Sequence, residues 1–427
     1  ILLNYEVDMA ERNFIENLPN SAEFADVVKR LYGDDKLQYQ IKRYQELYDI
    51  HSKKYGEGGV FYSSPGRIEV CGNHTDHNNG KVLCASITVD TLACVTPCEG
   101  KVIVESIGFS PIEVSLNDFI SRKNEEGSAV ALVRGILAYY KISGLKIGGF
   151  CAMTTSDVFR GAGVSSSACF EVLICEILNQ MFNGGAIDKF TKAKASHFAE
   201  TEYFGKPCGL LDQSAISFGG VSYIDFRSTR EPLFKSIDWN FDNLNIVLIN
   251  TGGDHSDLTD QYASIRLEME EVAKAMGGKK LRKIKEKSFY DAIPELQQKL
   301  SGRAILRAMH FYDENKRVDI CAKAVKKNNE RKFCDMINAS GESSYTMLQN
   351  CYPYGDLTQR IPLAINLSKK SDGVKAVRVH GGGFAGTIIA YVDKRKCDGY
   401  VDSMKSVFGN DNVFVIGVRN DGTTKVF

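Results

Sequence analysis

The chain has 427 residues, sets 53 Lys+Arg against 53 Asp+Glu, and is 43% hydrophobic. Such a length exceeds what one hydrophobic core organises, so two domains are expected, with ample apolar material for both. The even charge, without a basic stretch interleaved with aromatics, argues against nucleic acid or an anionic membrane as partner and leaves a small molecule.

Residues 1–57 read as a helical N-terminal extension, since Ala22 to Tyr32 and Leu37 to Tyr48 carry apolar residues three and four apart. From Val60 to Thr96 short β-rich runs (VFYS, RIEVCG, VLCASITV, LACVT) alternate with Gly/Asn turns, and KVIVESI continues them. Val130 to Tyr140 predicts a helix, Ile147 to Met153 a strand, Ala168 to Met181 a helix, and Thr191 to Glu202 another that stops before Gly205. Strands return at Phe218 to Asp225 and Leu244 to Asn250. The domain boundary is placed between them, giving domains over 58–242 and 243–427. Tyr262 to Met276 is an amphipathic helix, and Lys279 to Lys287 reads as a solvated, charged connection. Helices follow at Ala304 to Lys326 and Phe333 to Met347, then strands at Ala376 to Val379, Thr387 to Val392 and Val413 to Val418. The fold class is α+β in two lobes.

Twelve cysteines, with no CxxC pair, suit reduced and buried thiols. No apolar run reaches membrane-spanning length, and the first residues lack a signal-peptide pattern. A cytoplasmic protein, taken as a monomer, is expected.

Phe159 to Ala168, FRGAGVSSSA, joins a strand to a helix N-terminus. Free backbone amides, the helix dipole and glycines that permit close approach make a phosphate cradle there, although serine caps and turn glycines of an ordinary helix start read the same way. Ser64 to Ser86 packs Arg67, His74, Asp76 and His77 between turn clusters, which suits recognition of anionic charge and sugar hydroxyls, or a polar β-turn with a satisfied histidine. Zinc at His74 and His77 fails for want of further ligands at metal spacing. Gly381 to Gly386 spells GxGxxG, yet TIIAYV after it is strand-like where a dinucleotide loop opens a helix. A glycine hairpin over phosphates, or a tight turn between core strands, fits better.

PGR…GNHTDHNNG resembles the sugar signature of galactokinases, GAGVSSSA their nucleotide loop, VHGGGFAGTIIA their third motif, and CGLLDQ accompanies them in order. The resemblance spans Gly58 to Phe427. It implies the two-lobed GHMP kinase fold, with an N-terminal ribosomal-protein-S5-domain-2-like lobe and a C-terminal α+β sandwich lobe. It also implies a galactokinase activity using ATP and Mg²⁺. Asp212 would be the catalytic carboxylate and Arg67 its partner. Asn73, His74, Thr75, Asp76, Gly209 and Tyr262 would meet the sugar, although Tyr262 also lies on the apolar stripe of its helix. ATP would lie on Ser106, Gly161, Ala162, Gly163, Val164, Ser165, Ser166 and Ser167. Ser167 and Glu200 would hold the metal.

The chain departs from the family at Asn73, where Glu is usual, at His77, where Tyr is usual, at Phe159 for Pro, and at Ala339-Ser340-Gly341 for an SH segment. Losing a carboxylate at 73 would ease repulsion toward a sugar acid, so galacturonate, galactosamine and N-acetylgalactosamine stand as alternative substrates. A sugar-sensing regulator without kinase activity is the rival from another class. A nucleotide-dependent oxidoreductase rests on GxGxxG alone.

Overall fold

The computed structural model describes residues 15–158, 163–206, 208–228, 231–252, 258–384 and 386–427. Two helices open them: α1, Ala22–Tyr32, capped by the Ser21 hydroxyl, and α2, Leu37–Tyr55. The β-rich stretch then forms two long strands where four short ones are expected: β1, Val60–Cys71, and β2, Lys81–Cys98. Register shifts between Pro65 and Arg67 and between Glu69 and Cys71 absorb the turn-like residues without ending the strand.

β3, Lys101–Ser106, and β4, Ile112–Ser115, precede α3, Ala129–Ile142, and β5, Gly149–Ser156. After the cradle come α4, Ser166–Asn183, and α5, Lys189–Phe198. The helix expected to run through Glu202 instead widens at Ala199–Tyr203 into a π-turn. Then follow α6, Leu211–Phe218, and strands β6, Val221–Asp225, and β7, Leu233–Ile237.

The remaining elements are β8, Leu244–Asn250; α7, Thr259–Ala275; α8, Glu286–Leu296; α9, Gly302–Lys326; α10, Glu330–Ser343; and α11, Arg360–Lys370. They close with β9, Val374–Val379; β10, Thr387–Asp393; α12, Cys397–Phe408; β11, Val413–Ile416; and β12, Thr424–Lys425.

One sheet runs β12-β1-β2-β5-β3-β4, with β6 paired to β2 and β7 to β6; the other runs β11-β8-β10-β9. Strand β2 organises the first. Its residues Lys81 to Ala85 pair with β6 and Thr91 to Cys98 with β5, while β1 flanks both stretches. Helices α3 and α4 bury Val133, Ile136, Leu173 and Ile177 against this sheet. Ile68, Leu83, Ile246, Leu248 and Ile389 share a core that joins the two sheets, which holds β1 against the second one. The α+β, two-lobed fold is thus as expected.

The N-terminal helices pack Phe24, Tyr44 and Leu47 on Phe61, Leu92 and Met153 of the first sheet. Lys279 to Lys287 is not merely a solvated connection. Leu281 is fully buried, Arg282 Nη2 donates to both oxygens of Asp225 at 3.0 and 2.8 Å, and Lys280 Nζ reaches Glu270 at 2.6 Å. All twelve cysteines are free thiols, ten of them buried. Among the described residues, no helix is long and apolar enough to cross a membrane.

Candidate active site

Arg67 points from the bulged middle of β1 toward the start of α6. Its Nε and Nη2 donate to the two oxygens of Asp212 at 2.7 and 2.8 Å, a bidentate pair. Its Nη1 donates to the Gly163 carbonyl, and the Arg67 amide donates to the Val164 carbonyl at 3.2 Å. Burial pushes the Asp212 carboxyl up, but the Arg67 guanidinium and the Ser165 hydroxyl outweigh it and hold it below the usual carboxylate range. Asp212 is therefore ionised at neutral pH.

The Ser165 hydroxyl does not act as the cap of an ordinary helix start. Ser165 is the N-cap of α4, in the left-handed region at φ 61°, and its side chain makes no capping bond. It donates to Asp212 instead. The first-turn amides of α4 are thus left without the cap an ordinary helix start would supply, and the cradle is tied to the carboxylate. Gly163 has φ +68° and lies under the His380 ring, where a Cβ would come 3.3 Å from Nδ1. Val164 is buried, and Ser166 is exposed at the helix start. Gly161 and Ala162, with Phe159, lie outside the described residues. Ser106 ends β3 and its hydroxyl shares a 2.7 Å bond with Thr154 on neighbouring β5, one strand from the cradle's entry.

Ser167 Oγ donates to Glu200 Oε1 at 3.3 Å. Glu200 is 2% exposed and its other oxygen accepts from Gln213 Nε2 at 2.7 Å. A hydroxyl and a carboxylate are hard oxygen donors suited to Mg²⁺, which keeps several waters and needs few protein ligands. No group of three or more His, Cys, Asp or Glu that could hold a metal occurs among the described residues. Glu200 sits on the π-turn, whose widened backbone re-aims it toward α4. Behind it, burial and the nearby Glu200 push the fully buried Glu171 carboxyl well up.

The sugar signature divides into residues that face outward and residues that hold the turn. Asp76 is half-buried, and a Cβ on Gly209 would stand 2.3 Å from its Oδ2, so glycine is what lets the CGLLDQ segment approach. His74, at φ 55°, shares a 2.8 Å bond with the Gly382 carbonyl. Tyr262 donates to the Gly383 carbonyl at 2.9 Å and lies half-buried over Gly382, where a Cβ would meet its ring at 2.5 Å. The glycine-rich turn is a turn between strands β9 and β10, so the dinucleotide reading fails. It rests on the sugar signature.

Thr75 and Asn73, expected among the sugar contacts, are both held inside the protein. Thr75 is fully buried, with its hydroxyl on the Gly72 and Lys81 carbonyls at 3.0 and 2.6 Å. Asn73 is fully buried as well. Its amide nitrogen donates to Glu69 Oε1 at 3.0 Å and to the Gly381 carbonyl at 2.7 Å, and its oxygen accepts from Asn350 at 2.8 Å. Its backbone amide donates to Glu314 at 3.3 Å and its carbonyl bonds His310 at 2.9 Å. Every polar atom of Asn73 is engaged by the protein.

The sequence reading passed over Glu69, Gln213, Lys206, Glu314, His310 and Asn350. Glu314, fully buried, gathers Gly72, Asn73, Ser340 and Arg317 donors and binds α9 to the signature. Ser340, a departure from the family pattern, thus has a structural partner at 2.6 Å. Gln213 closes the CGLLDQ motif and Lys206 lies just before it, yet no periodicity marks either.

A family model for the galactokinase galactose-binding signature matches residues 49–97, and one for the N-terminal domain of GHMP kinases matches residues 128–220. The galactokinase of Clostridium tetani is 30% identical over 382 residues, covering 88% of this chain and 93% of that protein. The chain belongs to the galactokinase family. Among solved structures, the Lactococcus lactis galactokinase complexed with galactose superposes with a TM-score of 0.78 at 25% identity, covering 90% of this chain and 100% of that one. The mevalonate kinase of Methanococcus jannaschii, at 15% identity and a TM-score of 0.61, covers 84% of this chain and 98% of its own, and shares the fold. Against the galactokinase family pattern, the exchange of Glu for Asn73 leaves a carboxylate in place, since Glu69 lies against the Asn73 amide.

Proposed function

We propose that the protein is an ATP-dependent galactokinase that transfers the γ-phosphoryl group to the anomeric hydroxyl of galactose, giving α-D-galactose 1-phosphate and ADP. One observation carries the reading: a single carboxylate, Asp212, is held by Arg67 of the sugar-signature strand and by Ser165 of the nucleotide loop. The group that would meet the hydroxyl and the cradle that would hold the phosphates are thereby placed in one frame.

In the reaction, Asp212 orients the anomeric hydroxyl and accepts its proton as the oxygen attacks the γ-phosphorus. The bond from the γ-phosphorus to the bridging oxygen breaks in line, and ADP departs with that electron pair. Arg67 keeps Asp212 ionised and oriented, and the uncapped amides of α4 receive phosphate oxygens. Ser167 and Glu200 would hold Mg²⁺, which would supply positive charge beside the phosphate oxygens. Asp76 and His74 lie on the sugar side. ATP contacts at Gly161, Ala162 and Ser106, and sugar contact at Tyr262, belong to the same proposal.

The Glu69 carboxylate beside Asn73 is paired with Arg378, so the signature is left to sort sugars through Asp76 and His74. ADP release measured across galactose, galactosamine, N-acetylgalactosamine and galacturonate tests the reading; no ATP consumption with any of them would sink it. Asp212→Asn should cut turnover by about 10²–10⁴-fold while ATP still binds. Turnover near the parent's would remove Asp212 from its role.

A further inference from the structure

Lys206 follows the π-turn directly, and the backbone fixes where it goes. Gly205 turns the chain back at φ +80°, and the Lys206 amide donates to the Glu200 carbonyl at 3.0 Å. The side chain folds over the same residue. Its Nζ donates to Glu200 Oε1 at 2.7 Å, and that oxygen also accepts from Ser167 at 3.3 Å. The ammonium thus sits on the very oxygen that faces the nucleotide loop.

This pair differs from an ordinary surface ion pair. The Glu200 side chain is 3% exposed while that of Lys206 is 56% exposed, so a buried carboxylate is met by a cation that is open to solvent. A second carboxylate, Asp212, stands at the same loop, where it accepts from the Ser165 hydroxyl. The charge of Arg67 is already paired with the Asp212 carboxylate. Its Nε and Nη2 hold Asp212 and its Nη1 holds Gly163. An ATP tail entering here meets Glu200 and Asp212, two carboxylates, and needs positive charge that can leave its present partner for the phosphates.

We propose that Lys206 is a phosphate-binding residue of this site: it neutralises Glu200 in the free protein and transfers to the nucleotide's phosphate oxygens when ATP arrives. The inference rests on the kinase reading above. A lysine suits the task because a compact ammonium on a four-carbon stem can change partners without moving the backbone. Its departure from Glu200 frees a hard oxygen at the moment phosphates bring in a divalent cation. The exchange couples the two events.

Calorimetric titration of the full chain tests it, with ATP in EDTA and separately with ADP and Mg²⁺. Lys206→Met should weaken ATP binding in EDTA by about tenfold, the worth of one charge-assisted hydrogen bond. Lys206→Gln should lose as much, Lys206→Arg should recover most of it, and galactose affinity should stay at the parent's value. Parent-like ATP affinity in both neutral variants, with galactose binding retained, would overturn the proposal. So would an equal loss of ATP and galactose affinity, which marks a structural role. If the parent protein binds neither ligand, the kinase reading itself falls, and this inference with it.

Discussion

Asn73 donates its amide to the Glu69 carboxylate across 3.0 Å, and Arg378 holds the same carboxylate from the other side. A position expected to touch the sugar is therefore a buried linchpin between β1, the glycine-rich turn and α9. Asn73→Glu, the family-like residue, would set a second carboxylate against Glu69 and strip the Gly381 carbonyl of its donor. The expected cost is about 2–4 kcal/mol in urea unfolding. The double exchange Glu69→Asn with Asn73→Glu should regain part of it. A single variant as stable as the parent would show that the amide network matters little.

Gly209 stands where a Cβ would strike Asp76 at 2.3 Å. Gly209→Ala must push the Asp76 carboxylate out of place while leaving Arg67, Asp212 and the nucleotide loop untouched. Steady-state kinetics should show KM for galactose raised by about tenfold, a shift of the size one misplaced hydrogen bond produces, with KM for ATP unchanged. Equal changes in both would point to a broader distortion.

Asp212 owes its ionised state to Arg67, because burial alone drives a carboxyl the other way. Its folded value lies below the unfolded one, so its contribution to stability is present above about pH 4 and disappears as pH falls through the lower folded value. The acid limb that Asp212 imposes on kcat/KM should likewise lie below the usual carboxylate range. Arg67→Met leaves burial unopposed, and that limb should move upward, together with a turnover loss of about 10²–10³-fold. A pH–rate profile of parent and variant checks the direction; an unmoved limb would separate Arg67 from the charge of Asp212.

Burial lowers His310, between Ser343 and the Asn73 carbonyl, to about 4, and lowers His51 likewise to about 4. A histidine depressed on folding gives stability that is whole above its unfolded value, about 6.5, and is lost as pH falls below it. Melting temperature should fall between pH 6.5 and 4.5. His310→Gln should flatten that fall, at some cost in stability at pH 7.5. An identical pH slope in the variant would assign the effect elsewhere.

What could be read in the residues was what local periodicity or local clustering encodes. Leu244–Asn250 is a strand and Ala22–Tyr32 a helix at the expected bounds, because each is decided by its own alternation or apolar stripe. Arg67 pairs with Asp212 and Ser167 with Glu200, all four being residues that the motifs name. The length of β1 was hidden because Pro65 and Gly66 look like a turn and act as a bulge within a ladder supplied by β2. Asn73 and Thr75 misled for a related reason. Their burial is decided by Glu314, His310, Asn350 and Gly381, and a motif records its own letters but none of its distant neighbours.

The closing strand β12 lies beside β1, so Ser64 hydrogen-bonds Thr423 across 359 positions, and Arg419 reaches the Ser63 hydroxyl across 356. Strand β1, which carries Arg67, thus gains its outer neighbour only after nearly all the intervening chain has been made. Pairings of such separation incur the full entropy of closing the loop before any contact offsets it, and they set a slow pace for folding. During synthesis the flank of β1 would stay open as an unpaired edge until Thr424 and Lys425 have emerged from the ribosome, which makes the nascent first lobe a natural client for a chaperone.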